Sequence, residues 1–214
     1  MILLLIMLIS DKYNFLFIHI YKNAGTSITH ALKPFAVNRL HNYAHLVFYR
    51  LFRSNILNPM PFSPHVTATE IINKIGYEKY RQYYSFAVVR NPWDWQVSLY
   101  KFMLKKENHY QHKLIKSMSN FTEYIEWRCK NETRLQKDFI YSKDDNQLVD
   151  FIAKFENLET DFQKICKHIG VTAKLPHLNI SNKIPYQKFY TDETMKLVKN
   201  TFSEDINLFG YQFN

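Results

Sequence analysis

The stretch Phe15-Leu-Phe-Ile-His-Ile-Tyr-Lys-Asn-Ala-Gly-Thr-Ser-Ile-Thr-His-Ala-Leu-Lys33 decides the fold. Its first six residues are apolar and rich in β-formers, the pattern of a buried strand over residues 15–20. Tyr21 to Gly25 reads as a tight turn, and Thr26 to Lys33 as a helix that Pro34 stops. A helix N-terminus carries unpaired N–H groups and partial positive charge, so one placed just after a strand forms an anion site. Gly25 allows close backbone approach, Thr26 and Ser27 add hydroxyl donors, and Lys22 adds a full charge at the mouth. In a Walker A loop the lysine directly follows the last glycine. Here Lys22 precedes Gly25 by three positions, so the loop is of another kind. Taken alone, the same residues also read as a helix start beside a solvated lysine.

A second strand–loop–helix unit follows. Tyr84-Ser-Phe-Ala-Val-Val89 is a buried-strand pattern, and Asn91-Pro-Trp-Asp94 starts a helix with a good N-cap, proline at the first helical position and an acid in the first turn. Asn91 and Ser98 are seven positions apart, nearly two turns, and share a helix face. Arg90 leaves the strand just before that face, and its planar fork suits a phosphate monoester. An ordinary strand-to-helix corner with an incidental serine is the plainer reading of this segment by itself.

Further elements fill the chain. Thr67-Ala-Thr-Glu70 matches a capping box, with Gly76 closing the short helix after it. Asn120-Phe-Thr-Glu123 begins another helix, and Leu148 to Phe155 alternates as a strand. Phe162, Ile165, Cys166 and Ile169 lie on one helix face ended by Gly170, and Met195, Val198 and Phe202 mark a last helix. Strands alternating with helices predict an α/β fold, a P-loop-like central parallel sheet flanked by helices, in a single domain over residues 1–214. Ligands of such sheets bind beyond the carboxyl ends of the strands. The loops at 21–27 and 90–98 both leave at that end. Residues 35–64 show no clear period and read as a long irregular region.

Composition narrows the classes. Hydrophobic residues make up 46% of the 214, enough for a sizeable core. The net charge of +9 implies an anionic partner without choosing among nucleotide, glycan, nucleic acid and membrane. No dense basic block interleaved with stacking aromatics appears, which argues against nucleic acid. Cys129 and Cys166 lie 37 positions apart with no metal-ligand spacing, so reduced thiols are expected and no metal site. The apolar run Met1 to Ile9 is too short to span a bilayer and lacks the flanks of a secretory signal. A buried strand accounts for it, with weak membrane association through this apolar N-terminus as the other use.

Ile20-Tyr-Lys-Asn-Ala-Gly-Thr-Ser27 resembles the 5′-phosphosulfate loop of the sulfotransferases that use 3′-phosphoadenosine 5′-phosphosulfate (PAPS). The likeness is closest to the Golgi-type carbohydrate enzymes and their small bacterial relatives, whose usual form is P-K-T/N-A-G-T-S. Tyr21 stands where that family more often has proline. The Arg90 to Ser98 segment resembles the same family's 3′-phosphate segment, an arginine at a strand end with a serine eight positions on. The resemblance implies Lys22 at the bridging oxygen of the phosphosulfate. It also implies that Lys22, Asn23, Ala24, Gly25, Thr26 and Ser27 hold the 5′-phosphate, and that Arg90 and Ser98 hold the 3′-phosphate. Phe155-Glu-Asn-Leu158, Leu175-Pro-His-Leu-Asn179 and Asp205-Ile-Asn-Leu-Phe-Gly-Tyr211 extend the likeness and read as structural. The loop Asn179 to Lys183 is a further candidate for the 3′-phosphate.

Sulfuryl transfer to a hydroxyl needs a base for the acceptor proton and a cation for the charge on the leaving phosphate. Lys22 suits the second role. His65, just before the capping box and between the two phosphate segments, matches the family's setting for a histidine base. His41 and His45 are the next candidates, and Glu70 is an acidic alternative already explained by its capping box. His19 reads as a strand residue and His30 as packing on the first helix. The family implies PAPS as donor, no metal, and a hydroxylated acceptor, namely a carbohydrate such as capsule, lipopolysaccharide or another glycan. With no signal peptide or spanning helix read in the sequence, a cytoplasmic, bacterial-type enzyme is expected rather than a Golgi-anchored one. Two rivals share single features: a metal-dependent nucleoside-phosphate kinase has a related phosphate loop, and a non-catalytic module for anionic glycan or nucleic acid would share the basic charge.

Overall fold

A computed structural model of the chain describes residues 8–36, 65–176 and 184–214. These residues gather into two compact units. The first holds the described residues up to Val88 and those from Phe139 to Pro176, and the second holds Val89 to Asp138 and the described residues from 184 onward. The sequence expectations for Met1 to Met7, His41, His45, most of the 35–64 stretch and the Asn179–Lys183 loop lie outside the described residues.

The sheet has the order β1 (Leu8–Ser10), β2 (Phe15–Ile18), β3 (Tyr84–Val89), β4 (Phe151–Lys154). β1 runs antiparallel to β2, with Leu8 opposite Phe17. β2 and β3 are parallel, with Phe15 opposite Tyr84 and Ile18 opposite Ala87. All four residues of β2 are buried, as a parallel strand covered on both faces requires. The central parallel sheet and flanking helices expected from the strand–helix alternation are present.

The core of the first unit forms on one sheet face. Phe15 and Phe17 of β2 and Phe86 and Val88 of β3 point to the same side, because side chains alternate along a strand. Ile28, Ala31 and Leu32 of α1 (Gly25–Leu32) pack on them, as do Phe162, Ile165 and Cys166 of a later helix, Leu158–His168. Each fully buried Phe contributes about 1.5–3 kcal/mol of transfer free energy. The first helix starts at Gly25, one residue before the position expected, and His30 is exposed rather than packed.

Two elements depart from the sequence pattern. Only 151–154 of the expected 148–155 strand is extended. Upstream, the Asp150 carboxylate accepts from both the Ser85 amide (2.7 Å) and the Ser85 hydroxyl (2.8 Å), so a side chain does part of the pairing there. Downstream, Phe155–Asn157 closes into a 3₁₀ turn. In α2 (Ala68–Ile75) the expected capping box forms: the Thr67 hydroxyl accepts from the Glu70 amide, and the Glu70 carboxylate accepts from the Thr67 amide at 2.7 Å.

The second unit is helical. After the single turn α3 (Tyr77–Tyr80) of the first unit and strand β3 come α4 (Pro92–Lys105), α5 (His112–Ser117) and α6 (Phe121–Asn131). The helix Leu158–His168 of the first unit is α7, and α8 (Asp192–Thr201) and α9 (Ser203–Phe209) complete the second unit. Asn91 caps α4 by accepting from the Trp93 amide, and Pro92 occupies the first turn, as expected. Trp95 packs edge-on against Phe202 with centroids 6.2 Å apart. Among the described residues no helix is long and apolar enough to cross a membrane.

Candidate active site

The loop between β2 and α1 is held in an unusual backbone conformation. Lys22 (φ 66°) and Ala24 (φ 58°) are both left-handed without being glycine. That conformation costs roughly 1–2 kcal/mol for an ordinary L-residue. Left-handed residues interspersed in a tight loop turn successive backbone N–H groups inward, which makes a concave anion site. Asn23 between them is fully buried, and its Nδ2 donates to the Val88 carbonyl at 2.8 Å, tying the loop to the end of β3. No side chain caps α1, because its N-cap is Ala24. The first-turn N–H groups therefore meet neither an intrahelical acceptor nor a capping side chain. Thr26 is exposed and Ser27 is buried.

Gly25 meets a steric requirement in addition to the close backbone approach read from the sequence. Its backbone is not left-handed. A Cβ at this position would lie 1.7 Å from Nε2 of His19. Glycine at this position thus permits the close approach of the His19 imidazole. Gly25→Ala must expel that ring or shift the helix start. A cost of about 1–3 kcal/mol, typical of overpacking, is expected. It would be read as a fall of several degrees in Tm together with weaker nucleotide binding. A Gly25→Ala protein with unchanged melting and unchanged binding would contradict this role.

His19 follows β2 directly and stacks on Phe17 (centroids 5.6 Å apart). Burial pushes its pKa down to about 3, with His65 and Lys22 adding positive charge nearby. It is therefore a neutral imidazole at working pH. The His65 ring lies 4.7 Å from it, centroid to centroid, and the Tyr21 ring meets His65 edge-on at 5.8 Å. Tyr21 also contacts Phe139.

His65 Nδ1 lies 3.1 Å from the His19 carbonyl oxygen. A carbonyl can only accept, so in the neutral ring Nδ1 carries the proton and Nε2 presents a lone pair. The backbone of the strand end thereby sets the tautomer of the neutral ring. Of the sequence-predicted residues, the structure brings Lys22, Asn23, Ala24, Gly25, Thr26, Ser27 and His65 into the first unit. It adds His19, which the strand pattern concealed. Glu70 is committed to its capping box.

In the second unit, Arg90 leaves β3 and points its guanidinium along the start of α4. Nε and Nη2 donate to Asp94 Oδ2 at 2.8 and 2.7 Å, which fixes the fork one turn into the helix. Ser98 lies one turn beyond Asp94 and is partly exposed. The Arg90 backbone is bound twice by one side chain: Arg90 N–H donates to Gln136 Oε1 (2.9 Å), and Gln136 Nε2 donates to the Arg90 carbonyl (2.8 Å). Nothing local to Arg90 in the sequence announces Gln136, which lies 46 positions away. Among the described residues no group of three or more His, Cys, Asp or Glu is placed to hold a metal ion.

A family model described as the sulfotransferase family matches residues 6–212, a stretch that runs through both units. Among solved structures, mouse sulfotransferase SULT7A1 complexed with PAP aligns with 13% sequence identity and a TM-score of 0.42, covering 92% of this chain and 67% of that one. No curated protein matches the sequence.

Proposed function

The chain belongs to the sulfotransferase family, and from that membership we propose that it is a single PAPS-dependent domain over residues 1–214 that sulfates a carbohydrate hydroxyl with His65 as base. The observation that carries the reading is the histidine pair at the phosphate loop, where His65 Nδ1 meets the His19 carbonyl at 3.1 Å. PAPS supplies the sulfuryl group and departs as 3′-phosphoadenosine 5′-phosphate (PAP).

In this scheme the acceptor oxygen forms its bond to sulfur as its proton passes to His65 Nε2, and the S–O bond to the 5′-phosphate breaks with its electron pair staying on that phosphate. Lys22 places its ammonium where this charge grows, which favours the transition state over the ground state. The backbone N–H groups of 22–27, with the Thr26 and Ser27 hydroxyls, hold the 5′-phosphate. Asn23 contributes through its main chain, while its Nδ2 donates to the Val88 carbonyl and holds the loop in place. Arg90 and Ser98 hold the 3′-phosphate. No step calls for a metal ion.

A carbohydrate acceptor is supported by the likeness of the two phosphate segments to carbohydrate sulfotransferases, and the net charge of +9 favours a glycan that already carries acidic groups. Cys129 and Cys166 are free thiols, which supports a reducing, cytoplasmic setting.

The test of the phosphate assignment is Arg90→Ala. Losing a charge-assisted, forked contact to a phosphate should weaken PAP by about 10²-fold, since hydrogen bonds to charged groups are worth roughly 1.5–3 kcal/mol. Calorimetric titration reads this directly. Unchanged PAP affinity would remove Arg90 from the cofactor site.

A further inference from the structure

We propose that Gln136, itself fixed by Asp205, is a positioning residue for the 3′-phosphate arginine, and that it makes the protein selective for nucleotides bearing that phosphate. The proposal rests on the reading of Arg90 as the 3′-phosphate ligand.

Arg90 is the first residue past β3, where strand pairing ends and the backbone turns into α4. Its amide and carbonyl would there lose their ladder partners. The Gln136 carboxamide supplies both, at 2.9 and 2.8 Å, repeating the two-bond exchange that a residue on a neighbouring strand makes. Its orientation is set by chemistry: the Arg90 N–H needs an acceptor and the Arg90 carbonyl needs a donor, so Oε1 and Nε2 cannot be interchanged.

Gln136 is fully buried and is anchored from behind. Its own N–H donates to Asp205 Oδ2 (2.8 Å), and the next N–H, of Lys137, donates to Asp205 Oδ1 (2.9 Å). One carboxylate thus straddles two consecutive peptide groups. Asp205 is fully buried in the first turn of α9, and burial pushes its pKa up to about 6 against the lowering effect of those two bonds. Holding a carboxylate there is costly, and it anchors the peptide group from which the Gln136 side chain reaches Arg90.

Two constraints therefore converge on that arginine. Gln136 fixes its main chain, and Asp94 fixes its side chain through Nε and Nη2. A forked phosphate contact depends on such placement: displacement of about 1 Å in a positioning group can cost on the order of a hundredfold. A residue that served only to tie the 133–136 segment to the strand would affect folding and all nucleotides alike.

The experiment compares PAP with adenosine 5′-monophosphate, which lacks the 3′-phosphate, by titration of the full chain. The variants are Gln136→Met, which keeps the volume and removes both hydrogen bonds, Arg90→Ala, and the double variant. The expected result is a fall of about tenfold or more in the PAP-to-monophosphate affinity ratio for Gln136→Met, with monophosphate affinity retained. The double variant should be no worse than Arg90→Ala alone, as for two residues acting through one contact. If Gln136→Met does not fold, Gln136→Glu, which keeps the acceptor for the Arg90 N–H, is read in the same way. A Gln136 variant that leaves the ratio unchanged, or lowers both affinities equally, overturns the proposal. If Arg90→Ala itself leaves the ratio unchanged, the assignment of the arginine has failed instead, and the positioning role falls with it.

Discussion

His65→Ala is expected to lower sulfuryl transfer by about 10²–10⁴-fold, the range that a positioned general base contributes, while PAP binds as before. The reason is geometric. His65 Nδ1 donates to the His19 carbonyl, which in the neutral ring makes Nε2 the acceptor nitrogen. The residue touches the phosphate loop through the rings of His19 and Tyr21, so removing it subtracts the base without removing a phosphate donor. The pH profile gives a second readout. His19 stays neutral because burial holds its pKa near 3, so it should add no ionisation to the pH dependence of kcat/KM at higher pH. A His65→Ala enzyme with wild-type rates would contradict this account.

Lys22→Ala should cost about 10²–10³-fold in kcat, comparable to loss of one donor at a developing oxyanion, with a much smaller effect on PAP affinity. Lys22 holds a left-handed conformation, and alanine at neighbouring Ala24 adopts the same one, so the substitution leaves the loop backbone viable. What is lost is a charge where the leaving phosphate becomes more negative, and that interaction grows only as the reaction proceeds. Rates of transfer from PAPS to a panel of glycan acceptors, set beside PAP titrations, separate the two effects. Equal losses in rate and in PAP affinity would show Lys22 to be a binding residue only.

The local features of this site were legible in the sequence because each is built by contiguous residues. A strand, a loop with Lys22 and Gly25, and a helix start sit within 19 positions of one another, and the capping box at Thr67 and the Asn91 cap follow the same logic. Features built by the fold were not legible. Alternation cannot separate the last residue of a strand from the first of a loop, so His19 read as strand although it lies beside His65. The His19 ring that Gly25 accommodates was hidden likewise, since it arrives from the strand end. The strand over 148–155 was too long because Asp150 pairs with Ser85 through its carboxylate, which no alternation pattern records. Gln136 and Asp205 reach Arg90 over 46 and 115 positions of sequence, and only folding brings them together.

The central claim, that the nucleotide bound here is that of a sulfuryl donor, is met most directly by calorimetric titration of the wild-type protein with PAP and with ATP, each with and without magnesium. The account predicts that PAP binds more tightly than ATP and that its affinity does not depend on magnesium. A preference for ATP with magnesium, or the absence of any nucleotide binding, would contradict it.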